Sequence, residues 1–143
     1  MEIRESLFTK YLSAKTTEPY QLAHSLIHAA YSFGKVIEKE NIVEASGPRT
    51  KSRVHFIVRK EMDRFTTLFI EIFAEGDSIA ESLNVTINAI TSRTIPQAIG
   101  LVTETFHQNY RDRIYDKMRK FAEHRAKEAF LGFRNLTENP PIF

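Results

Sequence analysis

The sequence contains no cysteine, which excludes disulfides, thiolate nucleophiles and cysteine-ligated zinc or iron–sulfur clusters. Neither sign of charge dominates: 20 Lys and Arg against 18 Asp and Glu leave a net +2. So small a surplus supplies little field for steering polyanions, and nucleic acid is not an expected partner. No run approaches the roughly 18 apolar residues of a membrane helix. The opening residues Met1 to Ser6 lack the basic cluster and apolar stretch of an export signal. A cytoplasmic protein without membrane contact is therefore expected. Also missing are a glycine-rich phosphate loop, a nucleophile elbow, clustered carboxylates and a paired metal motif. No catalytic residue, metal or cofactor is assigned, and the sequence carries no enzyme signature.

What is present fits one domain over residues 1–143, with 42% hydrophobic and 27% charged residues, the range for a chain with a single core. Residues 2–15 read as a strand with a bulge, since Leu7 and Tyr11 fall on one parity and Phe8, Leu12 and Ala14 on the other. Thr17 is the expected cap of a helix beginning at Glu18-Pro19 and ending near Gly34. Its apolar side is Leu22, Ala23, Leu26, Ile27, Ala30 and Phe33. From Val36 to Ile95 the period shifts towards two, giving four strands separated by turn signals at Gly47-Pro48, Asp63-Arg64 and Glu75-Gly76-Asp77. In the last strand Leu83, Val85, Ile87 and Ala89 point one way and Ser82, Asn84, Thr86 and Asn88 the other. Around residues 68–73 both parities are apolar, so both sides of that strand are expected to be covered.

From Pro96 to Arg134 apolar residues recur every three or four positions, at Ile99, Val102, Phe106, Tyr110, Ile114, Met118 and Phe121 and onward to Phe133. A straight helix of that length spans about 55 Å, against about 40 Å for a compact body of this size. Residues 119–143 are therefore expected to project or to pack on another subunit.

The fold class is α+β: an antiparallel sheet of strand, helix and four-strand meander, packed on a long C-terminal helix. This order of elements resembles the START-like or birch-allergen-like helix-grip domains. The resemblance implies a curved sheet gripping the last helix and a cavity between them for a small apolar ligand. Four strands after a single helix depart from that family's six strands after a helical pair.

Three candidate sites follow. Phe56, Val58, Leu68, Ile70, Leu83, Val85, Phe106 and Tyr110 would wall the apolar cavity, with the tyrosine hydroxyl as a polar anchor. Phe121, Ala126, Phe130, Leu131 and Phe133 would form a self-association surface, with a homodimer as the first expectation. Arg49, Lys51 and Arg53, in a connection after Gly47-Pro48, would hold a phosphate or RNA backbone. The leading function is a non-enzymatic binding module for a small apolar molecule; the alternatives are a dimeric scaffold and a phosphate or RNA binder. His24 and His28 share a helix face but lack a third ligand, and read as solvated. The basic residues between Arg111 and Lys127 point all round the helix axis, as on a solvated helix with one packed side.

Overall fold

The computed structural model describes residues 2–94 and 114–143. Strand β1 (Glu2–Lys15) is followed by helix α1 (Pro19–Ala30) and then by four strands, β2 (Lys35–Ser46), β3 (Arg49–Glu61), β4 (Thr66–Asp77) and β5 (Ser82–Thr94). Helix α2 (Asp116–Glu138) closes the chain. The strands form one antiparallel sheet in the order β1-β5-β4-β3-β2, so β1 returns beside β5 and leaves β2 at the opposite edge. This is the expected α+β class, with the C-terminal helix packed on the sheet.

Alternation decides which face is inside. Val54, Phe56 and Val58 of β3, Leu68, Ile70, Ile72 and Ala74 of β4, and Leu83, Val85, Ile87 and Ala89 of β5 are all buried, with both described helices packed over them. Burying one such side chain contributes about 1.5–3 kcal/mol, so this face supplies most of the fold's driving force. The other parity, with Ile57, Phe69 and Phe73, forms an outer face that no described helix covers. Among the described residues, the outer parity expected to be covered is half-buried at Ile57 and Phe69 and exposed at Phe73.

Two bulges correct the alternation. In β1 the register shifts between Ser6 and Phe8, which puts Glu5, opposite Thr91, on the same side as Phe8 and Leu12. In β2 the shift lies between Glu38 and Glu40, so Ile37 and Ile42 both face outward despite opposite parity.

Several junctions differ from the sequence expectation. Thr16, not Thr17, serves the start of α1: its hydroxyl accepts the N–H of Glu18 at 3.1 Å, an early turn that delivers Pro19 to the first helical position. The helix ends at Ala30, where the N–H groups of Tyr31, Ser32 and Phe33 bond to carbonyls three residues back and tighten the last turn. Gly76 is not in a turn but inside β4. A Cβ there would lie 2.4 Å from Ser52 Oγ and 2.7 Å from Pro19 Cβ, so the glycine lets α1 begin hard against the strand. The chain reverses after it, where Asp77 accepts N–H bonds from Ile79 and Ala80.

The distal helix does not project. Strands of 12 to 14 residues at about 3.3 Å each run about 40–46 Å, whereas the 23 residues of α2 span only about 34 Å. The sheet is long enough to carry the helix. Ala122, Ala126, Ala129, Phe130 and Phe133 are buried in the common core, the alanines allowing close approach of helix and sheet. Residues 96–113 of the expected long helix lie outside the described residues.

Candidate functional site

The proposed cavity wall is assembled as the alternation required, but it is closed. Phe56, Val58, Leu68, Ile70, Leu83 and Val85 share the inner face, and each is at most 2% exposed. Phe106 and Tyr110 lie outside the described residues. A gap of about 40 Å³ opens beside this wall, lined by Ser32, Phe33, Lys60, Leu68, Ile70 and Arg125. Pockets for small organic ligands run to about 300–1,000 Å³.

The expected self-association set is divided by the docking of α2. Phe133 packs edge-on against Phe33 at 5.8 Å. Phe130 packs on Phe8 at 6.5 Å, with Lys10 Nζ 4.6 Å above its ring. Ala126 is buried beside them. Only Phe121 and Leu131, 44% and 50% exposed, remain available to a partner.

Arg49, Lys51 and Arg53 stand in β3 rather than in a connecting loop, and all three project from the outer face. Arg49 makes a paired contact with Asp77, Nη2 to Oδ2 at 2.8 Å and Nε to Oδ1 at 3.2 Å. Arg53 Nε donates to Glu40. Lys51 and Arg53 line an open groove of about 350 Å³ together with Glu44, Glu75 and Asp77. The acidic strand β4 thus balances the basic strand β3, and the guanidinium groups a phosphate would need already hold carboxylates. The Arg49 contact, assisted by the Ile79 and Ala80 amides, holds Asp77 below the usual carboxylate range.

Sequence reasoning missed a polar cluster beneath the start of α2. The Tyr115 hydroxyl donates to Glu5 and lies 3.3 Å from Thr91 Oγ1, while Arg119 pairs with Glu5 at 3.1 Å. Arg93, buried, stacks its guanidinium 4.1 Å over the Tyr115 ring, and its Nε and Nη1 have no hydrogen-bond partner among the described residues. Burial, then the Glu5 hydrogen bond, pushes the Tyr115 hydroxyl above the ordinary phenol range. Only the bulge in β1 brings Glu5 to this side, so the signal available in sequence was the parity break at Leu7.

His24 is partly buried, edge-on to Tyr20 at 4.5 Å, whereas His28 is exposed. On the outer face His55 stacks on Phe73 at 4.0 Å, with Nε2 3.5 Å from Glu71. Among the described residues no group of three His, Asp or Glu side chains could hold a metal ion. No helix among them is long and apolar enough to cross a membrane.

No family model matches the chain, and no curated protein matches it. Among solved structures it is similar to the quaternary ammonium Rieske monooxygenase CntA. The complex with L-carnitine gives a TM-score of 0.23 at 7% identity, over 88% of this chain and 39% of that one. The complex with inhibitor MMV12 gives a TM-score of 0.23 at 8% identity, over 92% of this chain and 41% of that one. This chain thus spans about two fifths of those proteins' length. Similarity at that score carries no argument about fold or function.

Proposed function

We propose that this protein is a non-enzymatic interaction module, a scaffold that works through its surface in a homo-oligomer. The observation that carries this reading is the contrast between a sealed stretch of sheet under the helices and the apolar side chains left exposed elsewhere on the surface. The six described wall residues are sealed, while Ile42, Val43, Phe73, Phe121 and Leu131 stand in solvent. Exposed apolar side chains beside balanced charges suit a protein partner better than a polyanion. Sedimentation velocity over a range of concentrations tests it: a mass that rises to a dimer is expected, and a monomer throughout would refute it.

A second reading, the small apolar ligand between sheet and α2, draws on the gap beside Leu68 and Ile70. A ligand there would have to lift Arg125 and Phe33 and wedge the helix from the sheet. Leu68→Trp separates the two readings. If the gap is only packing slack, the larger side chain costs stability, about 1–3 kcal/mol, and displaces nothing.

A further inference from the structure

The interaction reading leaves open which surface meets the partner. The exposed residues of α2, Phe121 and Leu131, lie ten positions apart, and Phe121 already carries the Arg125 guanidinium 5.1 Å over its ring. Strand β2 offers more. Among the described residues it is an edge strand of 12 residues, paired to β3 on one side only, so its other side presents backbone donors and acceptors ready to bind another strand. Its apolar residues Ile42 and Val43 are 37% and 44% exposed.

We infer that β2 is the homodimer interface, pairing antiparallel with β2 of a second copy about a two-fold axis between Lys39 and Glu40. The bulge restricts the register. Lys35, Ile37, Glu40, Ile42 and Glu44 face outward, and Val36, Glu38, Asn41 and Val43 face inward. Across the bulge, like faces meet only when a residue before it opposes one of opposite parity after it. Centring the axis on the bulge then sets Lys35 against Glu44 of the second copy, Val36 against Val43, Ile37 against Ile42, Glu38 against Asn41 and Lys39 against Glu40. Every charged residue but Glu38 meets its opposite, and every apolar residue meets an apolar one. Shifting the register by two residues sets Ile37 against Glu40 or Glu44 and loses this match.

The charges of β2 are also available. Lys35, Glu38, Lys39 and Glu44 take part in no ion pair among the described residues. On the opposite edge, β1, every charge but that of Lys15 is engaged within the chain: Glu5 with Arg119, Arg4 with Glu2, and Lys10 over Phe8 and Phe130. A second copy at β2 would also place Lys35 and Ile37 beside Glu44 and Ile42 on the rim of the 350 Å³ groove.

The inference rests on the interaction reading, and charge reversal tests it separately. Two Lys35–Glu44 pairs form per dimer, so Lys35→Glu and Glu44→Lys should each weaken dimerisation about tenfold in sedimentation equilibrium. The double variant Lys35→Glu/Glu44→Lys should recover most of the loss. Within its own chain Lys35 faces Arg59 and Glu44 faces Lys51, so Lys35→Glu relieves a local repulsion and is the cleaner single change. Phe121→Asp should leave the dimer intact. A dimer indifferent to both reversals, or a double variant no better than the singles, overturns the β2 assignment and leaves the interaction reading standing. A monomer at all concentrations overturns both.

Discussion

Replacing Phe133 by alanine tests whether the distal helix belongs to the chain's own core. Phe133 is fully buried and meets Phe33 edge-on at 5.8 Å, between α2 and the segment after α1. Removing a buried phenylalanine costs about 3–5 kcal/mol, since the lost transfer energy and the cavity left behind add. A domain of this size is stable by only about 5–15 kcal/mol. With a urea slope of about 2 kcal/mol per molar, the midpoint should fall by about 2 M. The control is Phe121→Ala on the solvent side of the same helix, where a change within about 0.5 kcal/mol is expected. Both are read by circular dichroism in urea at one protein concentration, because a dimer's stability depends on concentration. A loss below about 1 kcal/mol for Phe133→Ala, or equal losses for the two, would refute the docking of α2 on the sheet.

Other outcomes follow from single contacts. Gly76→Ala should lower the melting temperature by several degrees, because the new methyl meets Ser52 Oγ and Pro19 Cβ below 3 Å; an unchanged melting curve would contradict the close approach of α1. Tyr115→Phe removes hydrogen bonds to Glu5 and Thr91 and should cost about 1–2 kcal/mol in urea; no loss would mean the cluster is not formed in solution. Asp77 is held below its ordinary range, first by Arg49. Its stabilisation is therefore complete above the usual aspartate pKa of about 4 and lost as pH falls through the lowered folded value. Melting temperatures taken down through that window should fall less steeply in Arg49→Met than in the unaltered protein; parallel curves would contradict the pairing.

The face of each central strand was legible because alternation is a local signal: Leu83, Val85, Ile87 and Ala89 announce an inner side without reference to any other element. The order of elements followed from the same reading. Strand length was not legible, because Gly76 reads as a turn unless one knows that Pro19 presses on it. Phe130 and Phe133 were assigned to a partner because a helix running from Pro96 was set against the width of a compact body, whereas the 23 described residues of α2 lie along strands of 12 to 14 residues that accommodate them. The Glu5, Tyr115, Arg93 and Arg119 cluster was hidden for a different reason. It joins residues more than a hundred positions apart, through a bulge whose effect on facing appears only when β1 is laid against β5. The self-complementarity of β2 was hidden in the same way, since it exists only once Lys39 is recognised as the bulged residue.

Native mass spectrometry of the unaltered protein, under gentle and then denaturing conditions, tests the central claim most directly, because it reports subunit number and retained ligand together. A scaffold that acts through its surface should appear as a dimer of twice the polypeptide mass, with nothing lost on denaturation. A monomer carrying an excess mass that denaturation releases would contradict that account and return the function to the space between sheet and helix.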